Sequence, residues 1–187
     1  DGSEGFTKDV YDFEKEAYQI VWYDDQNGLS NNRIRCLYND ASGAIWMGTY
    51  LGGVNRLFNE SFVMHTRQNG LLDNVITALN WNNKDSSLWI GSLDKGIDIW
   101  SNSVVKRLST SNGISDNHIT SFAHLNNGST IVGTVDGANL IEGFEFSEFW
   151  DNYSGAFTSN KILDLVSNGT IVLGVTDKTE LFIIREA

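Results

Sequence analysis

The sequence has no proline, a single cysteine, and only 13 Lys and Arg residues against 24 Asp and Glu in 187. Without proline, every chain reversal must come from Gly, Asn, Asp and Ser, and 18 glycines are present for that work. The lone Cys36 excludes an internal disulfide, and within the strand-like run IRCLY it reads as a small buried hydrophobe. A formal charge of −11 with no basic cluster argues against nucleic acid, whose phosphates need Lys and Arg to neutralise them. The same field disfavours anionic membrane surfaces. Apolar runs such as IVLGV at 171–175 and LFII at 181–184 fall far short of the roughly 20 residues that cross a bilayer, so no membrane insertion is expected. The opening stretch, DGSEGFTKDVYDFEKE, has neither the basic start nor the apolar centre of a secretory signal.

Catalytic signatures are equally scarce. His65, His118 and His124 lack metal-site spacing, and no second thiol supports them. There is no Gly-x-Ser-x-Gly elbow, phosphate loop or dinucleotide fingerprint, and Asp24-Asp25-Gln26-Asn27-Gly28 lacks the spacing and closing Glu of a calcium loop. Glu145, Glu148 and Asp151 cluster as a solvated outer edge would. No cofactor and no metal are expected, and no catalytic residue is assigned.

What the chain does contain is a repeat. Asn32, Asn74, Asn117 and Asn160 fall in register with steps of 42, 43 and 43. A second landmark agrees: Ile45-Trp46-Met47-Gly48-Thr49, Leu88-Trp89-Ile90-Gly91-Ser92, Thr130-Ile131-Val132-Gly133-Thr134 and Ile171-Val172-Leu173-Gly174-Val175, with glycines stepping by 43, 42 and 41. A period of this length with several short strands per unit is the signature of a β-propeller. In the first unit, residues 34–38, 44–49, 54–58 and 62–66 are β-branched and aromatic runs separated by turn chemistry. NDASG, NNG and SNG fill the first turn of units one, three and four. No amphipathic helical window competes, apart from a short turn expected in DVYDFEKEAY at 9–18. Trp46 and Trp89 read as packing between neighbouring blades.

Strand counting makes a further expectation. Residues 20–23 fall where residues 62–65 fall, as an outermost strand, while residues 180–184 correspond to a third strand with no fourth after it. The sequence therefore predicts an all-β fold: a propeller of four four-stranded antiparallel blades, its N-terminal strand closing the last blade and removing the exposed edges. The chain divides into an N-terminal extension, residues 1–17, and a four-repeat domain, residues 18–187.

NGLSNNRIRCLYNDASGAIWMGTYLGGVNRL closely resembles the two-component regulator propeller repeat, with its Asn-Gly-Leu turn, Asp-x-x-Gly hairpin, Trp-Ile-Gly-Thr strand and Gly-Gly pair. QNGLLDNVITAL and LWIGSLDKGI match well, SNGISDNHITSF loses the Trp, and SNKILDLVSNGTIVLGV keeps the skeleton. The resemblance implies an extracytoplasmic sensor module, periplasmic in hybrid histidine kinases, that recognises or relays a ligand, frequently a glycan. Such sensors usually carry seven blades per propeller, so four repeats are compatible with a small propeller, a piece of a larger protein, or a half that pairs with another copy.

Propellers bind ligands mostly on the face carrying the outer-to-inner and second-to-third strand loops. The register places Arg33, Val75, His118 and Lys161 at the inner-strand starts, and Leu51, Asp94, Asp136 and Asp177 in the second-to-third loops. Arg33, Tyr50, Asp94, His118, Asp136 and Lys161 are the candidate ligand-binding residues, a charged mouth suited to a small polar ligand such as a sugar, with Tyr50 as a stacking face. Ordinary Asx turn chemistry accounts equally for the Asp and Asn positions. A protein-interaction scaffold or homo-oligomer is the alternative, with Trp22, Trp100 and Trp150 as candidates for an apolar patch.

Overall fold

The computed structural model describes residues 5–12, 14, 16–101, 104–151 and 155–185. Strands β1 (Phe6–Asp12) and β2 (Ala17–Tyr23) form a two-stranded sheet. Three four-stranded antiparallel blades follow: β3 (Ile34–Asn39), β4 (Ile45–Thr49), β5 (Val54–Phe58) and β6 (Ser61–His65); β7 (Ile76–Asn82), β8 (Ser87–Ser92), β9 (Ile97–Ser101) and β10 (Val104–Leu108); β11 (Ile119–His124), β12 (Thr130–Thr134), β13 (Gly137–Glu142) and β14 (Glu145–Trp150). A three-stranded sheet ends the series, β15 (Ile162–Ser167), β16 (Ile171–Thr176) and β17 (Leu181–Arg185). The protein is an all-β chain of propeller blades, as the repeat predicts.

Closure differs from the expectation. β2 pairs with β1, with Lys8 opposite Val21 and Asp9 opposite Ile20, and no pairing joins β2 to β17 among the described residues. The inner strands follow in series, β3 beside β7, β7 beside β11 and β11 beside β15. The blades therefore form an open arc. The physical reason lies in residues 6–12, FTKDVYD, which form a strand close in sequence to β2. A local hairpin costs far less chain entropy than a closure across the whole domain. Of the 9–18 stretch, residues 9–12 belong to β1 and 17–18 to β2, and residues 13 and 15 lie outside the described residues.

Each blade packs one face on the next through an apolar layer. Cys36, Tyr38, Trp46 and Val54 meet Ile76, Leu79, Leu88 and Ile90; Ala78, Trp89, Ile97 and Ile99 meet Ile119, Phe122, Val132 and Ile141; Ala123, Ile131, Ala138 and Leu140 meet Ile162, Leu165, Val172 and Phe182. The hairpin supplies Phe6 and Tyr23, which cover Met47 and Leu57 of the first blade and Leu29 of the loop before it. Trp46 and Trp89 lie within these layers, their indole N–H groups donating to Asp40 Oδ2 at 2.9 Å and Ser87 Oγ at 2.9 Å.

Glycines in the second strands make close approach possible. A Cβ on Gly48, Gly91 or Gly133 would lie 2.6, 2.6 and 2.8 Å from Cγ2 of Ile76, Ile119 and Ile162 in the following blade. Only a residue without a side chain lets the next inner strand come this near.

The strand register corrects the fourth landmark. Ser121 pairs with Gly133 and Ile119 with Thr134, whereas Asp164 pairs with Val175 and Ile162 with Thr176. Thr176 is therefore the equivalent of Thr49, Ser92 and Thr134, and Val175, not Gly174, stands at the repeat's glycine position. The loop hydrogen bond agrees: Thr49 N–H donates to Gly53 O, Ser92 N–H to Gly96 O and Thr176 N–H to Glu180 O, each at 3.0 Å.

Candidate functional site

The register asparagines hold the loops that shape one end of the arc. The Oδ1 atoms of Asn32, Asn74 and Asn117 accept from the backbone N–H of Asp25, Arg67 and Thr110 at 2.6, 2.8 and 2.9 Å. The backbone carbonyls of the register asparagines lock the blades together: Gly53 N–H donates to Asn74 O at 2.9 Å, Gly96 N–H to Asn117 O at 3.1 Å and Gly137 N–H to Asn160 O at 2.7 Å. Each second-to-third loop is thus tied to the start of the next inner strand. Candidate residues on those loops and strand starts sit on a fixed frame.

On that frame, the Arg33 guanidinium lies 4.4 Å from the Tyr50 ring centroid and that of Arg35 5.9 Å. Arg33, Arg35 and Tyr50, with Gly5, Trp22 and Asn32, line a cavity of about 400 Å³. Further along the mouth, burial pushes the His118 imidazole below its ordinary value, opposed by the Asp116 carboxylate and reinforced by the positive charges of Arg35 and Lys161. Those two cations and the imidazole therefore share one electrostatic neighbourhood.

The acidic candidates are engaged by neighbouring residues. Asp136 Oδ1 accepts from Asn160 Nδ2 at 2.7 Å, and its backbone N–H donates to Thr134 Oγ1 at 3.0 Å. Asp94 lies 3.6 Å from Lys95 Nζ and beside Asp73, whose carboxyl is raised by burial and by the Asp94 carboxylate. Asp177 accepts from Ser159 Oγ. The structure brings Arg33 together with Tyr50, while Asp94 and Asp136 serve in loop hydrogen bonding or pairing.

A second cavity, about 600 Å³, lies at the opposite ends of the inner strands, lined by residues including Tyr38, Asn80, Trp81, Lys84, His124 and Asn126. Sequence reasoning missed it, because the asparagines of the first turns NNG and SNG were legible only as hairpin chemistry. His124 Nδ1 lies 2.8 Å from Thr130 Oγ1, Nε2 has no partner among the described residues, and burial pushes the imidazole down to about 4. Among the described residues no group of three or more His, Cys, Asp or Glu is arranged to hold a metal ion. Among the described residues no helix is long and apolar enough to cross a membrane.

Against this geometry, residues 28–51 match the family model described as two component regulator propeller. That stretch is therefore similar to a two-component regulator propeller repeat. The extracellular domain of the hybrid two component system BT3049 from B. thetaiotaomicron superposes with a TM-score of 0.72 at 22% identity, over 90% of this chain and 25% of that one. The extracellular domain of BT4673 from the same organism, a one component system, gives 0.70 at 20% identity, over 100% and 28%. PorZ, a surface component of the type-IX secretion system of Porphyromonas gingivalis, gives 0.68 at 16%, over 98% and 30%. The chain thus spans under a third of the length of these structures, and at such identities the likeness establishes the propeller fold. No curated protein matches the chain.

Proposed function

We propose that this propeller segment is a non-catalytic sensor module acting outside the cytoplasm, and that it recognises a small polar ligand at the mouth carrying Arg33, Tyr50, Asp94, His118, Asp136 and Lys161. The observation behind this reading is the pair of guanidinium groups, Arg33 and Arg35, set beside the Tyr50 ring in one cavity of a chain with formal charge −11. Cations concentrated in an otherwise acidic protein favour a ligand that brings its own negative charge, and guanidinium groups bind carboxylate or sulfate in a directed way. Tyr50 beside them offers the flat face that a pyranose ring packs on. An acidic glycan meets both requirements. The extracellular two-component domains that share the fold support the setting.

The test is calorimetric titration with uronic-acid-containing oligosaccharides and their neutral counterparts. Binding of the acidic series is expected, with Arg33→Ala and Lys161→Ala each weakening it by about 1–3 kcal/mol, as for a lost hydrogen bond to a charged group. Acidic and neutral sugars binding alike, or both variants binding as the wild type does, would overturn the reading.

A further inference from the structure

Two tryptophans occupy the same place in successive blades, and the protein covers only one of them with a ring. Trp46 pairs with Tyr38 and Trp89 with Asn80, each two residue pairs along from Cys36–Gly48 and Ala78–Gly91, so the two indoles are equivalent and each faces the blade that follows. Trp89 is sealed, at 2% exposure. Phe144, in the two-residue turn between β13 and β14, stacks on it with 6.3 Å between centroids and 19° between planes, and Phe122 meets it edge-on at 5.7 Å. Phe144 holds this place at a φ of 72°, a left-handed conformation that a bulky side chain adopts rarely.

Trp46 stays half-buried. The corresponding two-residue turn, between β9 and β10, has Asn102 and Ser103 in the sequence; neither carries a ring, and both lie outside the described residues. Between Trp46 and the second blade lies a cavity of about 430 Å³. Its far wall is one row across β7 to β10, Trp81 paired with Leu88, Leu88 with Trp100 and Trp100 with Val105, and Val104 stands at the rim. Ser86 and Ser101 supply its hydroxyls, and none of the lining residues bears a charge. Both walls are complete four-stranded blades, so the cavity does not depend on the first or last sheet.

That size and that aromatic lining are those of a small-molecule pocket. The next interface shows which shape fits beside the indole: a flat ring, lying nearly parallel to it, as Phe144 does on Trp89.

We propose that the cavity between the first two blades binds a small, uncharged, planar aromatic compound of one or two rings, stacked on Trp46 and walled by Trp81 and Trp100. A hydroxyl on the ring is accommodated by Ser86 and Ser101. The site shares no lining residue with the cavity at Arg33 and Tyr50, and the inference stands apart from the ligand reading given for that mouth.

Calorimetric titration of the intact chain with naphthol and with its fully saturated counterpart, decalol, tests it. Naphthol is expected to bind at one site per chain, roughly tenfold more tightly than decalol, because the saturated rings cannot stack. Val105→Trp and Val104→Trp, both at positions open to solvent, are each expected to fill the cavity and abolish naphthol binding with unchanged circular dichroism. Naphthol that does not bind, decalol that binds equally well, or wild-type affinity for naphthol in either folded variant would overturn the proposal.

Discussion

The Phe182 ring lies against Gly174, in the space that a side chain at position 174 would need. In the other blades the position equivalent to Gly174 is Met47, Ile90 or Val132, and the one equivalent to Phe182 is Asn55, Asp98 or Asn139. Those polar groups accept from the backbone N–H of Ser30, Leu72 and Ser115 at 3.0, 2.6 and 2.9 Å. The last sheet exchanges an aliphatic–polar pair for a glycine and a ring that packs on Phe157 at 4.4 Å between centroids.

The exchange makes the two positions interdependent. Gly174→Val, which forces a branched side chain into the ring, is expected to destabilise by about 1–3 kcal/mol through overpacking. Phe182→Asn is expected to cost about 3 kcal/mol through the lost packing. Combined, they restore the pair used by the other blades, so urea unfolding of the double variant is expected to show a loss clearly smaller than the sum of the singles. Additive losses would mean that the two side chains do not share this space.

The asparagine frame is tested at Asn117. Asn117→Ala removes the acceptor for Thr110 N–H and keeps the backbone carbonyl that receives Gly96 N–H. Denaturant unfolding is expected to show a loss of about 1 kcal/mol, the net value of one such hydrogen bond. The carbonyl contact between blades should survive, seen as continued protection of the Gly96 amide from hydrogen exchange.

His124 makes stability depend on pH in a defined direction. Burial lowers its folded value from 6.5 to about 4, so the unfolded chain takes up the proton first. Stability is expected to be highest above pH 6.5, to fall as pH drops toward 4, and to have lost this contribution fully below it. His124→Gln is expected to flatten that part of the profile of melting temperature against pH. An unchanged slope would show that other groups govern it.

Cys36 packs against Gly48 and the following blade, and burial pushes its thiol up to about 12. The thiolate is the reactive form, so native protein is expected to resist Ellman's reagent at pH 8 while urea-unfolded protein reacts promptly. Equal rates in the two states would contradict the packing.

The repeat, its strands and its turns were legible because the chemistry that makes them is local. Asn32, Asn74 and Asn117 mark a turn wherever they occur, and the strands found in the first blade lie within a residue or so of the runs read from residues 34–66. Of the candidate residues, the sequence placed Arg33 at an inner-strand start and Tyr50 in a second-to-third loop, and the contact between them comes from the fold. Three things were hidden. Pairing of β2 with β1 in place of β17 is a competition between partners, and residues 6–12 read as an extension until set beside β2. The false landmark at Gly174 arose because a glycine was needed there for a different reason, the Phe182 ring. The cavity at Trp81, Asn126 and His124 forms only when the ends of three inner strands are brought side by side.

The open arc rests most directly on the partner of β2, and a nuclear Overhauser spectrum of labelled protein reads that partner. The account expects backbone contacts between Asp9 and Ile20 and between Lys8 and Val21, with none from Ala17–Tyr23 to Leu181–Arg185 of the same chain. Contacts from β2 to β17 within one monomer would contradict it and restore the closed four-blade ring.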